Sequence, residues 1–123
     1  MADQVRIAAA IDVGSNSVHL LLTELDGEVL RDESELLGLG AMVDMEGFIP
    51  DDGVEAMVDL ITRYVNEAVE EGADSVTLVA TEPLRRASNR TRAKEAVLAA
   101  TGLELHVLSH EEEALLTVLG VLE

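Results

Sequence analysis

Three groups of residues in this sequence have the types and spacing to act on an anion. Asp12-Val13-Gly14-Ser15-Asn16-Ser17 follows a largely apolar run at residues 5–11. A tight turn after a buried strand suits anion binding, because its glycine admits close backbone approach and small polar side chains add donors. Asp12, at the end of that strand, can hold a cation or a water. The second group is basic: Arg85, Arg86, Arg90, Arg92 and Lys94 are five of the eight Lys and Arg residues and fall within ten positions. Guanidinium forks match phosphate oxygens in bidentate geometry. The third is the carboxylate run Glu111, Glu112, Glu113. The residues alone leave plainer readings open for all three: a hairpin turn, a solvated helix face, and carboxylates placed against a helix dipole.

These groups need elements to position them. Residues 5–11 and 17–25 read as strands around the Gly14 turn. Asp26-Gly27 between two apolar runs is a strong hairpin signal, so residues 28–36 form a third, more polar strand near an edge. Residues 38–50 hold three glycines and no clear period, and read as a loop. A helix follows, with Asp52 as cap and Glu55 completing a capping box. Its apolar positions Val54, Met57, Val58, Ile61, Tyr64, Val65, Ala68 and Val69 recur at spacings of three and four, and Gly72 stops it. Residues 75–80 form a short strand buried on both faces. Ser88 or Asn89 caps a second helix that Gly102 closes. Residues 103–108 form a fifth strand, and Ser109 with Glu112 opens a last helix as a capping box. The order βββαβαβα predicts an α/β fold, a mixed five-stranded sheet with flanking helices. One domain spans residues 1–123, with Asp12 and Glu113 near one common edge of the sheet.

Composition bounds the function. The chain has 123 residues, 48% of them hydrophobic, and only Tyr64 and Phe48 are aromatic, so the core must be aliphatic. A formal net charge of −17 argues against duplex nucleic acid and anionic membrane surfaces as partners. Without cysteine there is neither a disulfide nor a thiolate metal site. No leader-like opening and no apolar run of membrane-spanning length occur, which makes a cytoplasmic setting the expectation.

Three segments carry a resemblance. Ala10-Ile11-Asp12-Val13-Gly14-Ser15-Asn16-Ser17-Val18-His19 closely resembles the opening motif of the exopolyphosphatase/guanosine pentaphosphatase (Ppx/GppA) family. Ala80-Thr81-Glu82-Pro83-Leu84-Arg85-Arg86-Ala87-Ser88-Asn89 and Leu108-Ser109-His110-Glu111-Glu112-Glu113-Ala114 resemble two further family segments, in the family's order. The resemblance implies the ribonuclease H-like fold of the actin, sugar-kinase and heat-shock ATPase superfamily. It also implies that Gly14, Ser15 and Asn16 hold substrate phosphates, that Arg85 is an anion ligand and that Glu113 is the catalytic base. Mg²⁺ or another divalent cation is implied near Asp12. The match departs at His110, where glycine is usual, and at Leu115, where arginine often stands. It departs again at Gly38-Leu39-Gly40-Ala41-Met42, which lacks an Arg-Leu-Gly-Glu-Gly pattern. His19, on the second strand, is left without an assigned role.

The implied reaction is hydrolysis of a terminal phosphoanhydride in inorganic polyphosphate or a guanosine pentaphosphate-like nucleotide. The family's second glycine-rich phosphate loop has no counterpart in this sequence, so the chain is expected to be an excised N-terminal subdomain. Its partners are then the missing C-terminal domain or domains, and its severed face favours a homo-dimer. A kinase-like enzyme of the same fold and a non-catalytic phosphate-binding module are the alternatives.

Overall fold

Alternation along Ile7–Val13 sends Ala9, Ile11 and Val13 to one side and Ala8, Ala10 and Asp12 to the other. The computed structural model describes residues 6–119 and makes this segment, β1, the middle strand of a five-stranded sheet. Strand β2 (Ser17–Glu24) returns antiparallel beside it and buries Val18, Leu20 and Leu22 on the same side as Ile11. Strand β3 (Val29–Leu36) pairs with β2 at the edge. Its Asp32, Glu33, Ser34 and Glu35 are the polar content that discourages pairing at an open edge. On the other side of β1, β4 (Ser75–Ala80) and β5 (Leu105–Val107) add in parallel, giving the order β3-β2-β1-β4-β5.

Helices cover the apolar side. Helix α2 (Asp51–Glu70) lays Met57, Ile61 and Tyr64 on it, each at most 1% exposed. Helix α4 (Arg90–Thr101) adds Ala93 and Val97 and packs along α2. Gly102, at φ 75°, closes α4 in the left-handed conformation as expected. The last element, α5 (His110–Val118), buries none of its side chains and borders the other face of the sheet, the one that carries Asp12.

Several local expectations are corrected. Residues 38–50 are not all loop: α1 spans Leu39–Glu46, where Leu39 and Val43, four apart, reach the core. The glycines that hid this helix mostly lie at its ends: Gly38 and Gly47 flank it, both left-handed. Helix α2 starts at Asp51 with Pro50 in the cap position and no side-chain cap, so the capping box of Asp52 and Glu55 does not form. A five-residue helix α3 (Glu82–Arg86) stands where none was read. Asn89 occupies the N-cap of α4, yet its side chain bonds the backbone of Ile49 instead, accepting at 3.0 Å and donating at 2.8 Å. Strand β4 is buried only at Leu78 and Ala80, with Ser75 and Thr77 exposed, because one of its faces has no full helical cover. Strand β5 keeps only the middle of 103–108. The observed order is therefore βββααβααβα. The capping box of α5 forms as read, with Ser109 Oγ accepting from the Glu112 amide and Glu112 Oε1 accepting from the Ser109 amide, both at 3.0 Å.

Candidate active site

Three residues, Gly14, Ser15 and Asn16, join β1 to β2, and the Gly14 amide closes the turn on the Ser17 carbonyl at 2.9 Å. The turn is braced from the start of α1. The Ser15 carbonyl accepts from the Gly40 amide at 2.8 Å, and the Asn16 carbonyl from those of Leu37 and Gly38 at 2.8 and 3.1 Å. Gly40 is there for space. A Cβ on it would sit 3.0 Å from Ser15 Cβ and 3.2 Å from the Ser15 carbonyl oxygen, closer than side chains normally tolerate. The negative ends of these two peptides are thus satisfied inside the protein.

The turn forms one end of a cleft of about 410 Å³. Asp12, His19, Asp32 and Ser34 line it from the sheet, Thr81 from the start of α3, and Glu113 and Thr117 from α5. The register explains the sheet's share: Asp12 lies directly opposite His19 and His19 opposite Ser34, so all three occupy one face. His19 Nε2 is ion-paired with Asp32 Oδ1. The Thr81 amide donates to the Val13 carbonyl at 3.1 Å, which fixes α3 to the end of β1. The Thr117 hydroxyl donates to the Glu113 carbonyl at 2.8 Å.

Asp12, Gly14, Ser15, Asn16 and Glu113 therefore share one cleft, although the last is about a hundred residues from the first. Arg85 does not line it. Its side chain is 15% exposed and stands behind Glu113, with Nη1 donating to Glu113 Oε1 at 2.9 Å and to the Leu108 carbonyl at 2.8 Å. The other members of the basic cluster face elsewhere. Arg86 pairs with Asp44 at 2.8 Å and Glu82 at 2.6 Å, and Arg92 with Asp51 at 2.9 Å. Sequence reasoning missed the parts played by His19, Asp32, Ser34, Thr81 and Thr117. For His19 a signal existed, since a three-residue turn between antiparallel strands sets it opposite Asp12.

Among the described residues no group of three His, Cys, Asp or Glu side chains is arranged to enclose a metal ion. The cleft does offer carboxylate oxygens from Asp12, Asp32 and Glu113. That donor set fits a hard cation such as Mg²⁺, which binds through one or two carboxylates and keeps waters and substrate phosphates as its other ligands.

Comparison with known proteins decides the family. The family model for the Ppx/GppA phosphatase family matches residues 23–123. The chain belongs to the Ppx/GppA phosphatase family. Exopolyphosphatase 1 of Mycobacterium tuberculosis is 30% identical over 115 residues, covering 90% of this chain and 33% of that protein. The crystal structure of an Aquifex aeolicus member of the Ppx/GppA family superposes with a TM-score of 0.88 at 30% identity, covering 96% of this chain and 40% of the other. An exopolyphosphatase from Cytophaga hutchinsonii shares the fold, with a TM-score of 0.85 at 24% identity. The ethanolamine utilization protein EutJ of Carboxydothermus hydrogenoformans shares it more distantly, at a TM-score of 0.54 and 21% identity. The fold, a mixed five-stranded sheet with flanking helices, is the one seen in solved Ppx/GppA structures. This chain spans about a third of the length of the curated Ppx/GppA relatives it matches. No helix among the described residues is long and apolar enough to cross a membrane.

Proposed function

We propose that this chain forms one wall of an active site that hydrolyses terminal phosphoanhydride bonds, in inorganic polyphosphate or a guanosine pentaphosphate-like nucleotide. The observation that carries the reading is the placing of Glu113 and the Gly14-Ser15-Asn16 turn around one cleft, with Asp12 beside them. The turn binds the terminal phosphate. Glu113 orients and deprotonates the attacking water, within a geometry that its Arg85 contact restrains. Arg85, one contact behind the base, holds Glu113 and turns to substrate oxygens when a polyanion enters. A divalent cation held at Asp12 neutralises charge on the transferred group when bound, which is the main demand of phosphoryl transfer.

In this reading residues 1–123 are the N-terminal subdomain of a longer cytoplasmic enzyme. The opposing wall, with a second phosphate-binding element, belongs to the domain that follows. The experiment is phosphate release from polyphosphate and guanosine pentaphosphate with Mg²⁺, by the longer protein and its Glu113→Gln variant. Turnover is expected to fall by roughly 10²–10⁴-fold with substrate affinity kept, the usual contribution of a general base. An unchanged rate would remove Glu113 from the mechanism.

A further inference from the structure

The segment that carries Arg85 has a second attachment, to α1 and the residues just after it. Arg86 Nη2 donates to Asp44 Oδ1 at 2.8 Å, and the Ser88 amide donates to the Gly47 carbonyl at 3.0 Å. Asn89 Oδ1 accepts from the Ile49 amide at 3.0 Å, and its Nδ2 donates to the Ile49 carbonyl at 2.8 Å. Residues 86–89 thus grip residues 44–49, the end of α1 and its link to α2. The Arg86–Asp44 pair is exposed and contributes little by itself. Ile49 is fully buried, so its amide and carbonyl depend on Asn89 for partners.

This use of Asn89 leaves a helix end unsatisfied. Asparagine is among the best N-cap residues, yet no side-chain cap hydrogen bond forms at the start of α4. Both polar atoms are directed instead to a backbone 40 positions away. The consequence runs along α1. Met42 of α1 and Ile49 both close on Gly53 of α2, where a Cβ would come within 2.7 Å of Met42 Sδ and 3.0 Å of Ile49 Cγ2. Only Gly47 and Phe48 separate Ile49 from the end of α1. At the other end of the helix, about 12 Å along its axis, the Gly40 amide holds the Ser15 carbonyl. There the Leu37 and Gly38 amides hold the Asn16 carbonyl. Asn89 itself is not among the residues that line the cleft.

We propose that Asn89 is a positioning residue for the cleft: by pinning Ile49 it fixes α1, and α1 fixes the Gly14-Ser15-Asn16 turn. The same segment holds Glu113 through Arg85 and is tied to the end of β1 by the Thr81 amide. Turn and base are therefore set from one frame. That the turn takes a substrate phosphate rests on the phosphoanhydride-hydrolysing reading; that Asn89 sets the turn rests on the geometry.

The test is Asn89→Ser in the longer protein, because serine offers α4 an N-cap but is too short to bridge both Ile49 groups. Asn89→Asp, which keeps an acceptor for the Ile49 amide and loses only the donor, is the milder second variant. Arg92→Ala is the control, since it also removes a contact of α4, but one made to Asp51 of α2. Steady-state phosphate release from polyphosphate with Mg²⁺ is measured together with backbone hydrogen exchange. Asn89→Ser is expected to raise KM about three- to tenfold and keep kcat within about twofold, because the turn shifts while Arg85 still holds Glu113. Exchange at residues 37–40 should quicken about fivefold or more relative to α2, as local loosening requires. Asn89→Asp should move both readouts the same way by about twofold, and Arg92→Ala should move neither. An unchanged KM in an active enzyme would overturn the proposal, as would exchange that quickens equally in both segments or in neither. A longer protein that releases no phosphate removes the hydrolytic reading, and exchange at residues 37–40 then decides the positioning role by itself.

Discussion

Arg85 spends its Nη1 on both the Glu113 carboxylate and the Leu108 carbonyl. Removing it takes away the group that fixes the carboxylate's direction and leaves a half-buried carbonyl without that donor. Arg85→Ala is expected to lower kcat as well as raise KM, unlike a residue that only attracts substrate. Stability should fall by about 1–3 kcal/mol, as is usual for lost hydrogen bonds to charged groups. Arg92, whose partner Asp51 is 80% exposed, serves as the contrast. Arg92→Ala should change stability by less than about 1 kcal/mol and kinetics hardly at all. Steady-state kinetics and a melting curve for both variants decide the point, and matching effects would return the whole basic cluster to a solvated face. The sequence could not separate Arg85 from its neighbours by type or spacing; only its match to a family segment did. The separation is physical: α3 begins where β1 and β4 end, and so turns Arg85 alone toward α5.

At the level of elements, the turn depends on α1. On helix propensity alone Gly40→Ala would stabilise by up to about 1 kcal/mol. The 3.0 Å approach to Ser15 Cβ reverses that sign, and overpacking of this kind costs about 1–3 kcal/mol. The variant is expected to lose substrate affinity through the displaced turn while keeping its helical circular dichroism. Intact affinity would mean that α1 does not set the turn's shape. This helix was the least legible element, because its only strong apolar signals, Leu39 and Val43, stand among glycines that usually mark loops. Helix α3 was hidden for a similar reason, being five residues long with a proline near its start. By contrast, the long apolar period of α2, the alternation of β1 and β2 and the Ser109/Glu112 box could all be read directly. That box makes its own prediction. The Ser109 amide and hydroxyl bonds hold the Glu112 carboxyl below its ordinary value of 4.5. A depressed carboxylate stabilises fully above its unfolded pKa, and the contribution is lost as pH falls through the folded one. Glu112→Gln, whose side chain matches in length and cannot titrate, should destabilise near neutral pH and have little effect in acid, measured by denaturant titration across that range. A loss that is the same at every pH would show that the box does not hold the proton off Glu112.

At the level of the whole molecule, the sheet has two unequal faces. Helices bury one, while among the described residues the Asp12 face is bordered only by α5, which leaves Leu115, Val118 and Leu119 between 59% and 83% exposed. Apolar exposure of this kind suits a surface that meets more protein, either the next domain or a second copy. Hence the chain alone is expected to fold, through the core between β1, β2, β4 and α2, and to self-associate as concentration rises in sedimentation runs. It is not expected to catalyse. In the proposed reading the cleft's opposing wall belongs to the next domain, so in the chain alone water would stay in contact with the turn and with Glu113, and preorganised charges act weakly in water. The decisive measurement is therefore phosphate release from polyphosphate with Mg²⁺, by the 123-residue chain and by the longer protein at equal concentration. An active site shared between domains gives release by the longer protein and none above background by the chain. Turnover by the chain equal to that of the longer protein would mean that residues 1–123 hold the complete site, and the shared cleft would have to be given up.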